Sequence, residues 1–225
     1  MSSTSKAVFE IKAFVEGFKA DSVFSNSLTS SSYSLAYKQL HALLIWSILI
    51  EGGKFPSKDY GIHPKEGISD ISQAYALLTF SLYKPARIMA RSAIENVVRV
   101  VVAGAGGDFE VKSVYILFDN AKAVLNCDPT AKGLLAKLKA LYAELCLTAH
   151  SAHKDHVALR IPFELVFAHD QDQCLMTIGL LKRVASSLNQ ILYARFFDRL
   201  PSITHKNRDV LLDSLPRALK RAVQS

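Results

Sequence analysis

The stretch "ARIMARSAIENVVRVVV", residues 86–102, is the clearest indication of the fold class. Apolar side chains would cover most of its circumference as a helix, and a helix of that kind is buried among other elements. The sequence "GAGGD", residues 104–108, follows directly and is typical of a helix end. The stretch therefore predicts a buried helix over about 86–103.

Four charged residues interrupt this apolar helix: Arg87, Arg91, Glu95 and Arg99. They recur every four positions, so on a helix of 3.6 residues per turn they form a strip that drifts by about 40° per step. Arg91 and Glu95 can pair at i,i+4. Two interpretations are open. Either the strip is the solvated face of the helix, or it lines a groove in which arginines bind phosphate through their planar fork and Glu95 orients one of them.

The remainder of the chain also favours helices. Hydrophobic residues make up 50% of the sequence, whereas glycine (10) and proline (7) are too scarce for a turn-rich sandwich or barrel. Periodic apolar positions predict further helices, and "KFPSKDYGIHPKEG", residues 54–67, predicts a surface loop. These other helices are expected over about 5–20, 33–51, 69–85, 109–126, 130–150, 171–197 and 204–225.

We therefore expect an all-α fold, a single helical-bundle domain with short amphipathic terminal helices. Residues 1–32 are assigned to an N-terminal helix and a Ser-rich connector, residues 33–200 to the bundle, and residues 201–225 to a basic amphipathic helix. The longest apolar run, "ALLIWSILI" at 42–50, is far short of the roughly 20 residues of a membrane helix, so no membrane partner is expected.

The charge and the cysteine content limit which partners and which cellular compartment the protein is expected to have. The net charge of +7 fits a polyanion such as RNA or DNA, or an acidic protein, but also fits a basic surface with scattered charge. The three cysteines contain no CxxC pair, which argues against a disulfide framework and a thiolate zinc site. We expect reduced thiols and a cytoplasmic protein.

Three histidines stand close together at His150, His153 and His156. Their spacing puts them on one side of a helix, if the helix extends that far. Zinc binding would need further ligands, and no HExxH motif or cysteine partner is present, so we expect no metal and no cofactor. The other interpretations are acid–base chemistry beside Lys154 and a polar helix C-terminus, where imidazolium complements the helix dipole.

Two segments together resemble the HEPN-like superfamily: "ARSAIENVVRVV", residues 90–101, and "LYAELCLTAHSAH", residues 141–153. The residues that match patterns of the superfamily are Arg91 to Asn96 and Leu141 to His150. The whole resemblance covers about Ser69 to His156. Members of that superfamily are small all-α domains of toxin–antitoxin, abortive-infection and RNA-processing systems. Many pair two protomers and cut RNA with an Arg-x4-6-His motif. Here Ala143, Glu144, Leu145 and Cys146 stand four to seven places before His150, so no arginine occupies the position of the motif arginine.

The resemblance implies an RNA-targeting component of an antiviral-defence or toxin–antitoxin-type system, with metal-independent RNA cleavage as one form of the activity. Arg91, Glu95, His150 and His153 are its candidate catalytic residues, and Arg87, Arg99 and Lys154 are its candidate nucleic-acid-binding residues. RNA or a ribonucleoprotein is the expected partner, and a homodimer or hetero-complex the expected assembly. The alternative is a non-enzymatic helical adaptor or antitoxin-like protein that binds another protein or a ribonucleoprotein. A metal-dependent hydrolase is a third hypothesis, and it rests on the histidines alone.

Overall fold

A computed structural model describes residues 30–51, 63–125, 129–149, 170–196, 204–216 and 219 of the chain. These residues form seven α-helices and no strand, which confirms the all-α prediction. The helices are α1 (Ser30–Glu51), α2 (His63–Thr79), α3 (Tyr83–Ala103), α4 (Val114–Val124), α5 (Pro129–Ala149), α6 (Gln171–Phe196) and α7 (His205–Ser214).

Helix α3 lies at the centre of the bundle, packed against α2, α4, α5 and α6. It carries the stretch that predicts a buried helix, and Ile94, Val98 and Val101 are fully buried there. Helix α2 approaches α3 so closely that a Cβ on Gly67 would lie 3.1 Å from Asn96 Cβ and 3.2 Å from Val97 Cγ2. The close packing of α2 on α3 therefore depends on a glycine at that position.

Helices α3 and α6 run side by side in the same direction. Near their first turns Arg87 donates to Thr177, and at their last turns Arg195 donates to the backbone oxygen of Gly104. The Arg195 contact satisfies a carbonyl at the end of α3 that has no partner within the helix. Polar contacts therefore fix the register of α3 and α6 at both ends of a largely apolar interface.

Helix α1 packs against α6, and α7 packs against both of them. Asn189 Nδ2 donates to Gln39 O at 2.8 Å, and Gln39 Nε2 donates to Ser214 O at 2.9 Å. Leu211 and Leu215 are buried, so α7 belongs to the bundle. The helix ends at Ser214 and Leu215 is extended, because a proline, here Pro216, disfavours helical backbone at the residue before it.

Two helix starts differ from the predictions by five residues or more. Helix α2 begins at His63, inside the expected loop, because Pro64 is tolerated in a first turn and Glu66 complements the positive helix end. Helix α4 begins at Val114 rather than Phe109, because the carbonyls of Phe109 and Val111 accept hydrogen bonds from Arg99. The expected helix at 5–20 and most of the expected loop lie outside the described residues.

No helix among the described residues is both long enough and apolar enough to cross a membrane.

Candidate functional site

Three side chains from α3 and α5 meet at one point and are called here the Arg91 cluster: Arg91, Glu95 and Tyr142. Arg91 donates to the Tyr142 hydroxyl from Nε at 3.1 Å and from Nη2 at 3.0 Å. The same hydroxyl donates to Glu95 Oε1 at 2.9 Å, and Arg91 Nη2 lies 3.3 Å from that oxygen. The predicted pairing of Arg91 with Glu95 is confirmed, with a tyrosine bridging the pair.

The local sequence explains this geometry. A spacing of four residues places Arg91 and Glu95 on one face of α3. Tyr142 belongs to the apolar face of α5, and its ring packs edge-on against Phe118 of α4 with centroids 5.8 Å apart. A buried tyrosine ring still needs a partner for its hydroxyl, and the charged pair on α3 supplies both an acceptor and donors.

Burial and charge fix the protonation state of the cluster. Burial raises the pKa of Tyr142 above its usual value, and Glu95 adds to the rise while the hydrogen bond from Arg91 opposes it. Burial alone would lower the pKa of Arg91, but Tyr142, Cys146 and Glu95 together outweigh it and the pKa is raised. At neutral pH the cluster therefore holds a guanidinium cation and a protonated phenol.

The cluster is accessible from solvent on one side. The side chains of Arg91 and Glu95 are 27% and 24% exposed, whereas Tyr142 is buried beneath them. A half-buried arginine held by a neutral hydroxyl and a carboxylate is oriented in advance, so little side-chain freedom is lost when it meets an anion. The arrangement suits recognition of a phosphate at the exposed side of the cluster.

Arg87 lies away from this cluster and is 5% exposed. Its Nε and Nη2 donate to Thr177 Oγ1 at 3.0 and 2.8 Å, and Nη2 donates to Gln173 Oε1 at 2.7 Å. Burial lowers its pKa, and the charge of Glu144 opposes that change. The structure thus places this candidate nucleic-acid-binding residue between α3 and α6, with its donors directed at neutral acceptors.

Arg99 holds the connection between α3 and α4. Its Nη1 donates to the backbone oxygen of Phe109 and its Nη2 donates to that of Val111 at 3.0 Å. The drift of the charged strip explains why its members separate: successive steps turn Arg87 toward α6, Arg91 and Glu95 toward α5, and Arg99 toward the connection. The structure therefore brings Arg91 and Glu95 together but directs Arg87 and Arg99 elsewhere.

A second polar group, which the sequence did not suggest, joins α2 to α3 beside the Arg91 cluster. Asn96 Nδ2 donates to the buried carboxylate of Asp70 at 3.0 Å, and Asn96 Oδ1 lies 3.0 Å from His63 Nδ1. Since this amide oxygen can only accept, His63 must carry a proton on Nδ1. Asp70 lies inside α2 and does not cap a helix start, because α2 begins seven residues earlier at His63.

His150, His153 and Lys154 lie outside the described residues, as does His156. Their assignment to catalysis and nucleic-acid binding stays a prediction. Helix α5 is described as far as Ala149, seven residues beyond Tyr142 and roughly 10 Å along the axis at 1.5 Å per residue. In the described part of the chain, no three side chains of His, Cys, Asp or Glu form a group able to hold a metal ion.

A basic groove, called here the α5–α6 groove, opens between those two helices and encloses about 520 Å³. The sequence gives no sign of this groove, because the cations on α5 are more than 40 positions from those on α6 and none belongs to a recognisable motif. Tyr142 was missed for a related reason, since it matched the apolar face of α5. The groove is lined by Lys137, Ala140, Leu141, Gly179, Lys182, Arg183, Ser186, Ser187 and Gln190.

Comparison with known proteins identifies no relative, since no family model, no curated protein and no solved structure matches the chain.

Proposed function

We propose that this protein is an HEPN-like, RNA-targeting component of an antiviral-defence or toxin–antitoxin-type system, with the Arg91 cluster at its RNA-facing centre. One observation carries the proposal. The two segments that resemble the superfamily belong to different helices, and their polar residues meet directly, Arg91 and Glu95 from one and Tyr142 from the other. The charge of +7 favours a polyanionic partner in the cytoplasm.

The chemistry available at the cluster is recognition of a phosphodiester. Arg91 would contribute a cation beside the phosphate, held by Tyr142 and Glu95 at the geometry described above. If the protein cleaves RNA, a base removes the proton of the ribose 2′-hydroxyl and that oxygen attacks phosphorus. The 5′-oxygen of the next nucleotide then leaves with a proton from an acid, and the cation stabilises the charge on the phosphorane. His150 and His153 are the proposed base and acid.

The test is a cleavage assay on mixed tRNA and cellular RNA in the presence of EDTA. The wild type is compared with Arg91→Ala and His150→Ala, and His205→Ala on the exposed face of α7 is the matched histidine control. We expect cleavage to persist in EDTA and in the control but to fall at least about 100-fold in His150→Ala, as loss of a general acid or base requires. Equal cleavage by all four proteins would refute the catalytic form of the proposal.

A non-enzymatic adaptor is the second candidate function, and the contacts of the arginines favour it. Arg87 and Arg99 direct their donors into the fold, and Arg91 is already paired with a carboxylate. An adaptor of this kind would act in a homodimer or hetero-complex. If the wild type cleaves no RNA yet elutes as a defined assembly by size-exclusion chromatography with light scattering, the adaptor is favoured over the ribonuclease.

A further inference from the structure

We propose that the α5–α6 groove binds the phosphate backbone of RNA. This inference rests on the proposed function and assigns the surface with which the protein binds RNA. Two of the candidate nucleic-acid-binding residues, Arg87 and Arg99, make their contacts inside the fold. A protein that binds RNA needs cations that face solvent. The α5–α6 groove presents three such cations, which are Lys137, Lys182 and Arg183.

The charge of the groove is positive after its internal pairing is counted. Arg183 forms a two-bond ion pair with Glu144, at 2.9 and 3.2 Å. Lys137 and Lys182 are exposed and form no ion pair among the described residues. The two lysines therefore leave a net positive charge at the rim of a concave surface, where field lines are focused and anions accumulate.

The small residues in the lining keep the groove open. Gly179 lies in the interior of α6, and a Cβ built on it would have no atom within 4 Å. No close helix contact and no positive φ angle requires glycine there. Ala140 on the facing helix α5 is also exposed. Larger side chains at these positions would extend into the groove.

The chemistry of the lining favours RNA backbone over a protein partner. Ser186, Ser187 and Gln190 offer hydroxyl and amide groups beside the cations, which is the set that contacts phosphate and ribose oxygens. None of the described residues that line the groove is aromatic, so they offer neither a stacking platform for splayed bases nor the aromatic anchors of a protein interface. We therefore infer sequence-independent binding to the backbone of paired RNA.

The experiment measures binding of a fluorescein-labelled RNA duplex of scrambled sequence by anisotropy over a range of salt concentrations. Lys137→Gln/Lys182→Gln removes two charges from the groove, and Lys112→Gln/Lys122→Gln removes two exposed charges elsewhere. We expect the groove variant to bind about tenfold more weakly and to lower the salt slope by about 2, one for each lost phosphate contact. The control pair should change affinity less than about threefold.

A second variant blocks the groove without changing its charge. Gly179→Leu fills the open space and replaces a glycine in a helix by a better helix former, so the fold should be retained. We expect it to weaken duplex binding about as much as the double lysine variant. Equal losses in both lysine pairs, or unchanged binding by Gly179→Leu, would overturn the assignment of the groove.

A thermal-shift measurement with tripolyphosphate separates this inference from the proposed function. If the wild type binds no RNA but tripolyphosphate stabilises it and not the Lys137→Gln/Lys182→Gln variant, the RNA function fails and the groove stands as a phosphate site. If RNA binds but neither groove variant weakens the binding, the assignment of the groove is wrong while the proposed RNA function is retained. Absence of both RNA binding and a tripolyphosphate shift would overturn both.

Discussion

Arg91 on α3 donates two hydrogen bonds to the hydroxyl of Tyr142 on α5, at 3.1 and 3.0 Å. The two residues are 51 positions apart in the sequence, and the contact joins the two helices that carry the family resemblance. Because the same hydroxyl donates to Glu95, a single oxygen atom links a cation and an anion in a half-buried cluster. We expect both the stability and the chemistry of the Arg91 cluster to depend on that oxygen.

Tyr142→Phe removes the hydroxyl and keeps the ring against Phe118. Since hydrogen bonds to charged groups contribute more than neutral ones, we expect a loss of about 1–3 kcal/mol in the free energy of unfolding. Urea unfolding followed by circular dichroism measures it. Tyr115→Phe, at a side chain that is 68% exposed, is the matched control and should leave stability unchanged. An equal result for both variants would contradict a structural role for the hydroxyl.

Arg87→Ala should destabilise the fold strongly. The substitution leaves Gln173 and Thr177 without their donor and opens a cavity between α3 and α6. We expect a loss of about 3 kcal/mol or more, because buried groups without partners retain their full desolvation cost. Arg183→Ala, which breaks an exposed ion pair with Glu144, should cost about 1 kcal/mol or less. The reverse order of the two losses would show that Arg87 is not a packing residue.

Alkaline pH should destabilise the protein through its buried tyrosines. Burial raises the pKa of Tyr193 to about 12, and it also raises the pKa values of Tyr75 and Tyr142. Unfolded tyrosines ionise near pH 10, so above that pH the unfolded chain binds fewer protons and stability falls as pH rises. The contribution of Tyr193 is present below pH 10 and is lost between about pH 10 and 12. Urea midpoints at pH 9, 10 and 11 should decline, and they should decline less in Tyr193→Phe.

Two glycines should respond oppositely to alanine. At Gly179 a Cβ meets nothing within 4 Å, so Gly179→Ala should stabilise α6 by about 0.5–1 kcal/mol. At Gly107 a Cβ would lie 2.8 Å from Val102 Cγ1 and 3.0 Å from Val124 Cγ1, so Gly107→Ala should destabilise the contact between α3 and α4. Melting temperatures of the two variants test this. A rise for Gly107→Ala or a fall for Gly179→Ala would contradict the packing described.

The sequence predicted the burial of α3 and the drift of its charged strip, because both follow from helical periodicity alone. It could not predict the partners of that strip. Arg87 meets Thr177, 90 positions away, and such a contact depends on which helix faces each side of α3. The sequence also predicts a helix that begins at Phe109, yet Arg99 binds the carbonyls of Phe109 and Val111 and holds them outside α4. The hydrogen bonds of a charged side chain on α3 thus determine where the next helix, α4, begins.

The most direct test of the Arg91 cluster observes its guanidinium while RNA is added. The Nε–H signals of Arg91 and Arg87 are assigned in ¹⁵N NMR spectra by their loss in the Arg91→Lys and Arg87→Lys variants, and an RNA duplex is then titrated into the wild type. We expect the Arg91 signal to shift in proportion to the fraction of protein bound to RNA, as measured by anisotropy. The signal of Arg87, which is buried against Thr177, should stay in place. Saturating RNA binding with an unmoved Arg91 signal would contradict the claim that this cluster faces RNA.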